Sequence, residues 1–233
     1  MTSPRPDAGS AGAGTGGGPR PDSPAEAWRW LLEGNRRFVA GERLHPNQDV
    51  DHRSELASGQ RPFAVLFGCA DSRVAAEMIF DQGLGDLFVV RTAGHVLDPC
   101  VVGSLEFGAG VLGTPLVVVM GHDACGAVKT GISATDSGEI PGGYMRDLVE
   151  KVMPSVVQAR SQHGPEASAE EIGAWHVRRT VRMLAERSTL VQDLIRSGRL
   201  AIVGINYRLA EGDVHHVDHV GDIGDLRPGV RSV

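Results

Sequence analysis

The sequence predicts an α/β fold with a mostly parallel central sheet of four to five strands flanked by helices, and three observations carry that prediction. Four short apolar runs rich in β-branched residues recur: Phe63 to Gly68 (FAVLFG), Leu87 to Val90 (LFVV), Leu116 to Met120 (LVVVM) and Leu200 to Ile205 (LAIVGI). Each is apolar on both faces, the pattern of parallel strands covered on both sides. The segments between them are long enough for helical crossovers, and several carry apolar residues at helical spacing.

Residues 1–22 contain six glycines and four prolines and no periodic apolar face. Such a segment buries too little surface to offset its ordering entropy, so a disordered tail is expected, followed by a single domain over 23–233. Ser23 suits an N-cap, with Pro24 in the first helical position and Glu26 completing a capping box. Trp28, Leu31, Leu32, Asn35, Phe38 and Val39 then keep helical spacing until Gly41 offers a stop. Further helical patterns fall at 104–112, at 144–157 and after Ser168, where Glu171 makes a second capping box ahead of Ile172, Trp175, Arg179 and Met183. The run Gly108-Ala109-Gly110-Val111-Leu112-Gly113 fits G-x-G-x-x-G, but it precedes a strand instead of following one. It therefore reads as close helix packing and not as a dinucleotide site.

Composition removes several function classes. Asp and Glu (29) exceed Lys and Arg (23), for a formal net charge of −6, and the arginines are scattered. Nucleic acid is thus not an expected partner. The arginines around Arg178, Arg179 and Arg182 read as an exposed helix face. No apolar run approaches the 18 or so residues that span a bilayer, so no membrane partner is expected. Three cysteines, an odd number, and no secretory pattern at the N-terminus place the chain in a reducing cytoplasm, with thiols available for metal or catalysis.

Two of the strands end in unusual polar clusters. Phe63 to Gly68 runs into Cys69-Ala70-Asp71-Ser72-Arg73, and Leu116 to Met120 runs into Gly121-His122-Asp123-Ala124-Cys125-Gly126. Ligands of open α/β sheets bind beyond the carboxyl ends of the strands. If the two strands are neighbours, Cys69, His122 and Cys125 can converge on one ion, and two thiolates with one imidazole select zinc. Three protein ligands with a fourth position open are the mark of a catalytic zinc. Asp71 is near enough either to accept a hydrogen bond from zinc-bound hydroxide or to coordinate the metal. A bidentate pair with Arg73 would hold it away. Two thiolates cancel the formal charge of the ion, so water bound to it should be less acidic, and any chemistry that needs that water ionised should speed up with pH through a value above 7. Cys100 has no such neighbours and reads as a buried apolar residue. His215, His216 and His219 read as a solvated surface tract, and His45 and His95 have no assigned role.

CADSR followed some fifty residues later by GHDACGA resembles the zinc-site signature of the β-class carbonic anhydrases, and FVVRTAGHV and the final LAIVG strand resemble the same family in the same order. The resemblance covers residues 25 to 225 or so. It implies a β-carbonic-anhydrase-like fold, zinc (Zn2+, one per chain) on Cys69, His122 and Cys125, and reversible hydration of carbon dioxide to bicarbonate. It also implies a homodimer whose sheets join, often doubled to a homotetramer, with the N-terminal helix packed on the partner subunit. Gln60, Phe88, Ala93 and Phe107 match the positions that line the carbon dioxide site in one subgroup, with Gly126 beside Cys125. Ala93 and Phe107 replace a valine and a tyrosine, which makes the pocket more apolar and slightly roomier. Gln60, an amide donor for an oxygen of carbon dioxide or bicarbonate, is retained. A second subgroup adds a bicarbonate effector site built on a tryptophan, an arginine and a tyrosine. Arg91 and Tyr207 match, but Leu66 replaces the tryptophan, which favours the subgroup without that site. Two rivals stand beside this reading: a hydrolase of carbonyl sulphide or carbon disulphide on the same scaffold, and a non-catalytic zinc or redox-sensing protein in which Asp71 is a permanent fourth ligand.

Overall fold

A computed structural model of the chain describes residues 20–225. The expected tail lies almost wholly outside them; Arg20, the first described residue, pairs with Asp86 at 3.1 Å. Among the described residues five strands form one sheet: β1 (Ala64–Cys69), β2 (Leu87–Thr92), β3 (Leu116–His122), β4 (Ala201–Tyr207) and β5 (Val214–Val220). Their order is β2-β1-β3-β4-β5; the first four are parallel, and β5 runs antiparallel to β4. The chain leaves β1 for β2 on one side and then reaches β3 on the other. That reversal opens a crevice at the carboxyl ends of β1 and β3.

Among the described residues eight α-helices flank the sheet: α1 (Pro24–Ala40), α2 (Val50–Glu55), α3 (Ala76–Ile79), α4 (Pro99–Glu106), α5 (Gly126–Ser137), α6 (Met145–His163), α7 (Ala169–Arg187) and α8 (Thr189–Arg196). Alternate residues of the central strands feed two cores, as a strand period of two requires. Leu66, Val118 and Val203 face Trp28, Leu31 and Phe80 of the α1 and α3 side. Phe67, Val119 and Ile202 face Val177, Val181 and Leu184 of α7. The buried stripe of α1 thus packs on its own chain's sheet. Ser23 caps α1 by accepting the Glu26 N–H at 3.3 Å, and Gly41 at φ 73° ends it. Only half of the expected capping box forms, because the Glu26 carboxylate pairs with Arg29 instead. The box at Ser168 and Glu171 is complete.

Several expectations are corrected. The helix expected at 104–112 starts earlier, at Pro99 under an Asp98 cap, and widens to a π-turn over Phe107–Val111. A Cβ on Gly108 would lie 2.4 Å from Val65 Cγ2, so the close packing expected of the glycine run is present. The helix expected at 144–157 continues to His163 through Pro154. Cys100 is exposed, because the second position of α4 faces away from the sheet. The histidine tract is strand β5 and not a solvated tract: Val214 and Val217 enter the two cores, His216 is buried, and His216 Nε2 sits 3.2 Å from His219 Nδ1. The arginine face is exposed at Arg182, as expected, and half-buried at Arg178 and Arg179, and two of its members find partners: Arg182 is bidentate to Asp218 and Arg178 lies over the Trp175 ring. Among the described residues no helix is long and apolar enough to cross a membrane.

Candidate metal centre

Cys69 is the last residue of β1 and His122 the last of β3; Gly68 pairs with Met120, so the two side chains leave the sheet at nearly the same level. A three-residue turn then brings Cys125 back to the same place. Ala124 takes φ 51° in that turn, and Cys125 becomes the N-cap of α5. The turn is tied to β4 by the Asp123 N–H on the Tyr207 carbonyl at 3.2 Å, and to the following loop by the Leu209 N–H on Asp123 Oδ1 at 3.0 Å. The ligand atoms of Cys69, His122 and Cys125 all lie within 4.8 Å of one another, and all three residues are buried.

The electrostatics of this trio are those of a cation site. His122 Nδ1 donates to the Asp123 carbonyl at 2.7 Å, which leaves the lone pair on Nε2. That atom is buried and has no hydrogen-bond partner. The Cys69 thiol is pushed down to about 4 by the Cys125 side chain against it, helped by His122 and by the Gly94 N–H. Cys125 shares its proton with Cys69, and with burial this pushes its own thiol up. Burial opposes a charge on His122, but the Cys69 sulphur, the Asp123 carbonyl and the Asp71 carboxylate together outweigh it and raise its pKa. Two thiols contending for one proton next to an orphaned imidazole nitrogen are a donor set that a soft dication satisfies, and the set fits zinc. The Ala127 and Val128 N–H groups at the start of α5 work the other way, favouring the thiolate form of Cys125.

Of the other residues singled out in the sequence, Asp71 stands beside the trio, whereas Phe88 pairs with Val65, four residues before Cys69 on β1, and Gln60 precedes that strand. Arg73 grips Asp71 with Nε on Oδ1 at 2.9 Å and Nη2 on Oδ2 at 2.7 Å, and its backbone N–H adds a third bond at 2.9 Å. This pair holds the Asp71 carboxyl well below the usual carboxylate range. Asp71 Oδ2 is 3.9 Å from His122 Nε2. The Phe88 and Phe107 rings lie 6.0 Å apart and tilted by 37°, and Phe107 is 44% exposed. Gln60 and Ala93 are exposed, and the Gln60 amide makes no hydrogen bond among the described residues. A Cβ on Gly126 would meet nothing within 4 Å. A cavity of about 630 Å³ between α4, α6 and α7 contains none of the donor residues.

Sequence reasoning assigned no positioning role to Arg91 or Gly94. Arg91 on β2 donates to the Cys69 carbonyl at 2.9 Å and the Asp71 carbonyl at 2.6 Å, so its guanidinium fixes the backbone of the whole ligand loop. Gly94 donates its N–H to Cys69 Sγ at 3.3 Å. Arg91 was visible as a charged residue in an apolar strand, whereas nothing local marks Gly94.

Residues 64–214, well over half of the chain, match the family model described as carbonic anhydrase. This chain is an enzyme of the β-class carbonic anhydrase family. It is 54% identical over 203 residues to carbonic anhydrase 2 of Mycobacterium tuberculosis, covering 87% of this chain and 97% of that protein. It is similar to the structure of a Coccomyxa β-carbonic anhydrase in complex with acetazolamide, at 27% identity and a TM-score of 0.66, over 82% of this chain and 86% of that one. It shares its fold with a Sordaria macrospora enzyme, one of two tetrameric β-carbonic anhydrases, at 19% identity and a TM-score of 0.65 over 82% and 96% of the chains. The mostly parallel sheet and the carbonic anhydrase assignment read from the sequence therefore hold.

Proposed function

We propose that this chain catalyses the reversible hydration of carbon dioxide to bicarbonate and a proton at a zinc held by Cys69, His122 and Cys125. The observation that carries the reading is the convergence of these donor atoms within 4.8 Å at the crevice between β1 and β3. Bound there, zinc supplies the Lewis acidity that makes water a nucleophile near neutral pH. The chain supplies the positioning. Asp71, kept ionised and turned aside by Arg73, has lone pairs left to accept a hydrogen bond from the attacking water and orient it. Arg91 keeps the ligand loop in register while the reaction proceeds. Phe88 and Phe107 are an apolar pair at the β2 edge and Gln60 precedes β1, at the far end of that strand from Cys69, so they would line the site of a partner subunit. There the rings form a wall for a small, uncharged, linear substrate, and the Gln60 amide donates to the oxygen on which charge develops. Gly126 leaves the mouth of the site clear.

Gln60 and Phe107 are exposed in the single chain, and β2 is an edge strand whose Leu87, Phe88, Val89 and Val90 are only half-buried. An apolar edge next to an incomplete pocket supports a homodimer or homotetramer in which the partner covers this face. Free thiols at Cys69, Cys100 and Cys125 suit a cytoplasmic setting. Stopped-flow hydration of carbon dioxide, with metal analysis of the same sample, tests the proposal. One zinc per chain with rapid hydration is expected. A large preference for carbonyl sulphide, or zinc without hydration, overturns it.

A further inference from the structure

His176, midway along α7, is 2% exposed and plays no part in the site as described so far. Its ring makes two hydrogen bonds: Nε2 lies 2.8 Å from the Gly94 carbonyl oxygen, and Nδ1 lies 2.8 Å from Ser155 Oγ on α6. A carbonyl only accepts, so Nε2 carries a proton. Burial pushes the imidazole down to about 4, so the ring is neutral and Nδ1 must accept from the Ser155 hydroxyl. His95 lies against the same ring at a centroid distance of 4.5 Å and fixes its tilt. Gly94 itself has no slack. Its φ is +65°, and a Cβ there would come within 2.7 Å of the Ala127 Cβ, two residues beyond Cys125. From this wedged position its N–H reaches Cys69 Sγ.

We propose that His176 is a positioning residue for Cys69: its Nε2–H holds Gly94 in place, the Gly94 N–H is thereby aimed at the sulphur, and Ser155 sets the tautomer that makes this possible. The proposal rests on the reading of Cys69 as a metal ligand. A hydrogen bond to a ligating sulphur fixes its direction and tempers its charge, and outer groups of this kind are worth roughly 10- to 100-fold in metal affinity. The relay reaches from the packed α6–α7 layer to the metal centre through one backbone residue.

The test compares wild type, His176→Gln, His176→Leu and Ser155→Ala. Glutamine keeps an N–H donor where Nε2 stands, whereas leucine fills the space without one. Zinc release to a chromogenic chelator, the sulphur-to-cobalt charge-transfer band of the cobalt-substituted protein, and amide exchange of Gly94 in the metal-free chain are the readouts. His176→Leu is expected to release zinc about tenfold faster, with a shifted band. His176→Gln should stay near wild type, and Ser155→Ala should fall between. Wild-type release from His176→Leu overturns the proposal, and so does equal loss in the Gln and Leu variants, which would assign the effect to packing. If the leucine variant does not fold, unchanged release from Ser155→Ala overturns it. A wild type that holds no metal would sink the metal reading alone. Gly94 exchange then decides the relay: faster exchange in the leucine than in the glutamine variant supports it, and equal exchange overturns it.

Discussion

Replacing His176 by glutamine should change how the fold responds to acid, by an amount the structure sets. In the folded chain burial depresses this imidazole to about 4 from the 6.5 of an exposed histidine, with repulsion from Arg179 adding to the effect and the Gly94 carbonyl opposing it. The stacked His95 is buried and neutral as well, its pKa also depressed. Between those two values the unfolded chain binds a proton that the folded chain refuses, so unfolding gains from acid and stability falls as pH drops from 6.5 toward 4. A shift from 6.5 to about 4, at 1.36 kcal/mol for each unit, is about 3 kcal/mol, a sizeable part of a typical domain's 5–15 kcal/mol. Urea unfolding of wild type and His176→Gln, repeated from pH 7.5 to 4, reads the effect. Glutamine does not titrate, so any constant cost of the substitution drops out and only the pH dependence is compared. The stability gap between the two proteins should move by about 3 kcal/mol in favour of the variant as pH falls to 4. A gap that stays constant across that range would refute the reasoning about the buried imidazole.

Four other outcomes follow from the site. Arg73→Ala removes both side-chain bonds to Asp71 and frees a carboxylate next to His122, so hydration measured by stopped flow should fall about 10- to 100-fold while zinc stays at one per chain. Because two thiolates neutralise the ion, the hydration rate should climb with pH through a value above 7, and a profile flat from pH 6 to 9 contradicts this. Gly94→Ala forces a side chain against Ala127 at a backbone angle that costs about 1–3 kcal/mol, and should lower both the melting temperature and the zinc content. Cys100→Ser, at an exposed thiol away from the trio, should leave metal content and stability within about 0.5 kcal/mol of wild type.

The parts of this molecule that local sequence can encode were legible in it. Runs such as LVVVM and LAIVGI are apolar on both faces because β3 and β4 are covered on both sides, and that cause is written into the run itself. The clusters CADSR and GHDACGA follow their strands directly, so the topological rule that puts ligands at strand ends was enough to bring them together. β5 was hidden because VHHVDHV places histidines where an edge strand tolerates them, and an irregular step in its pairing opposite Gly204 and Ile205 breaks the alternation, so only the pairing with β4 reveals it as a strand. Cys100 misled because cysteine is usually buried, while its position on α4 depends on which way that helix faces the sheet. His176 was invisible for a different reason. Its partners Gly94 and Ser155 lie 82 and 21 residues away, and nothing in the spacing of α7 distinguishes it from a core residue.

The ligand set itself is open to direct measurement by X-ray absorption at the zinc edge of the purified protein. Two sulphur scatterers at about 2.3 Å and one imidazole nitrogen at about 2.0 Å, with a light atom completing the shell, are predicted. Cys69→Ser should reduce the sulphur count to one. A shell without sulphur, or one unchanged by that substitution, would contradict the assignment of the metal to this crevice.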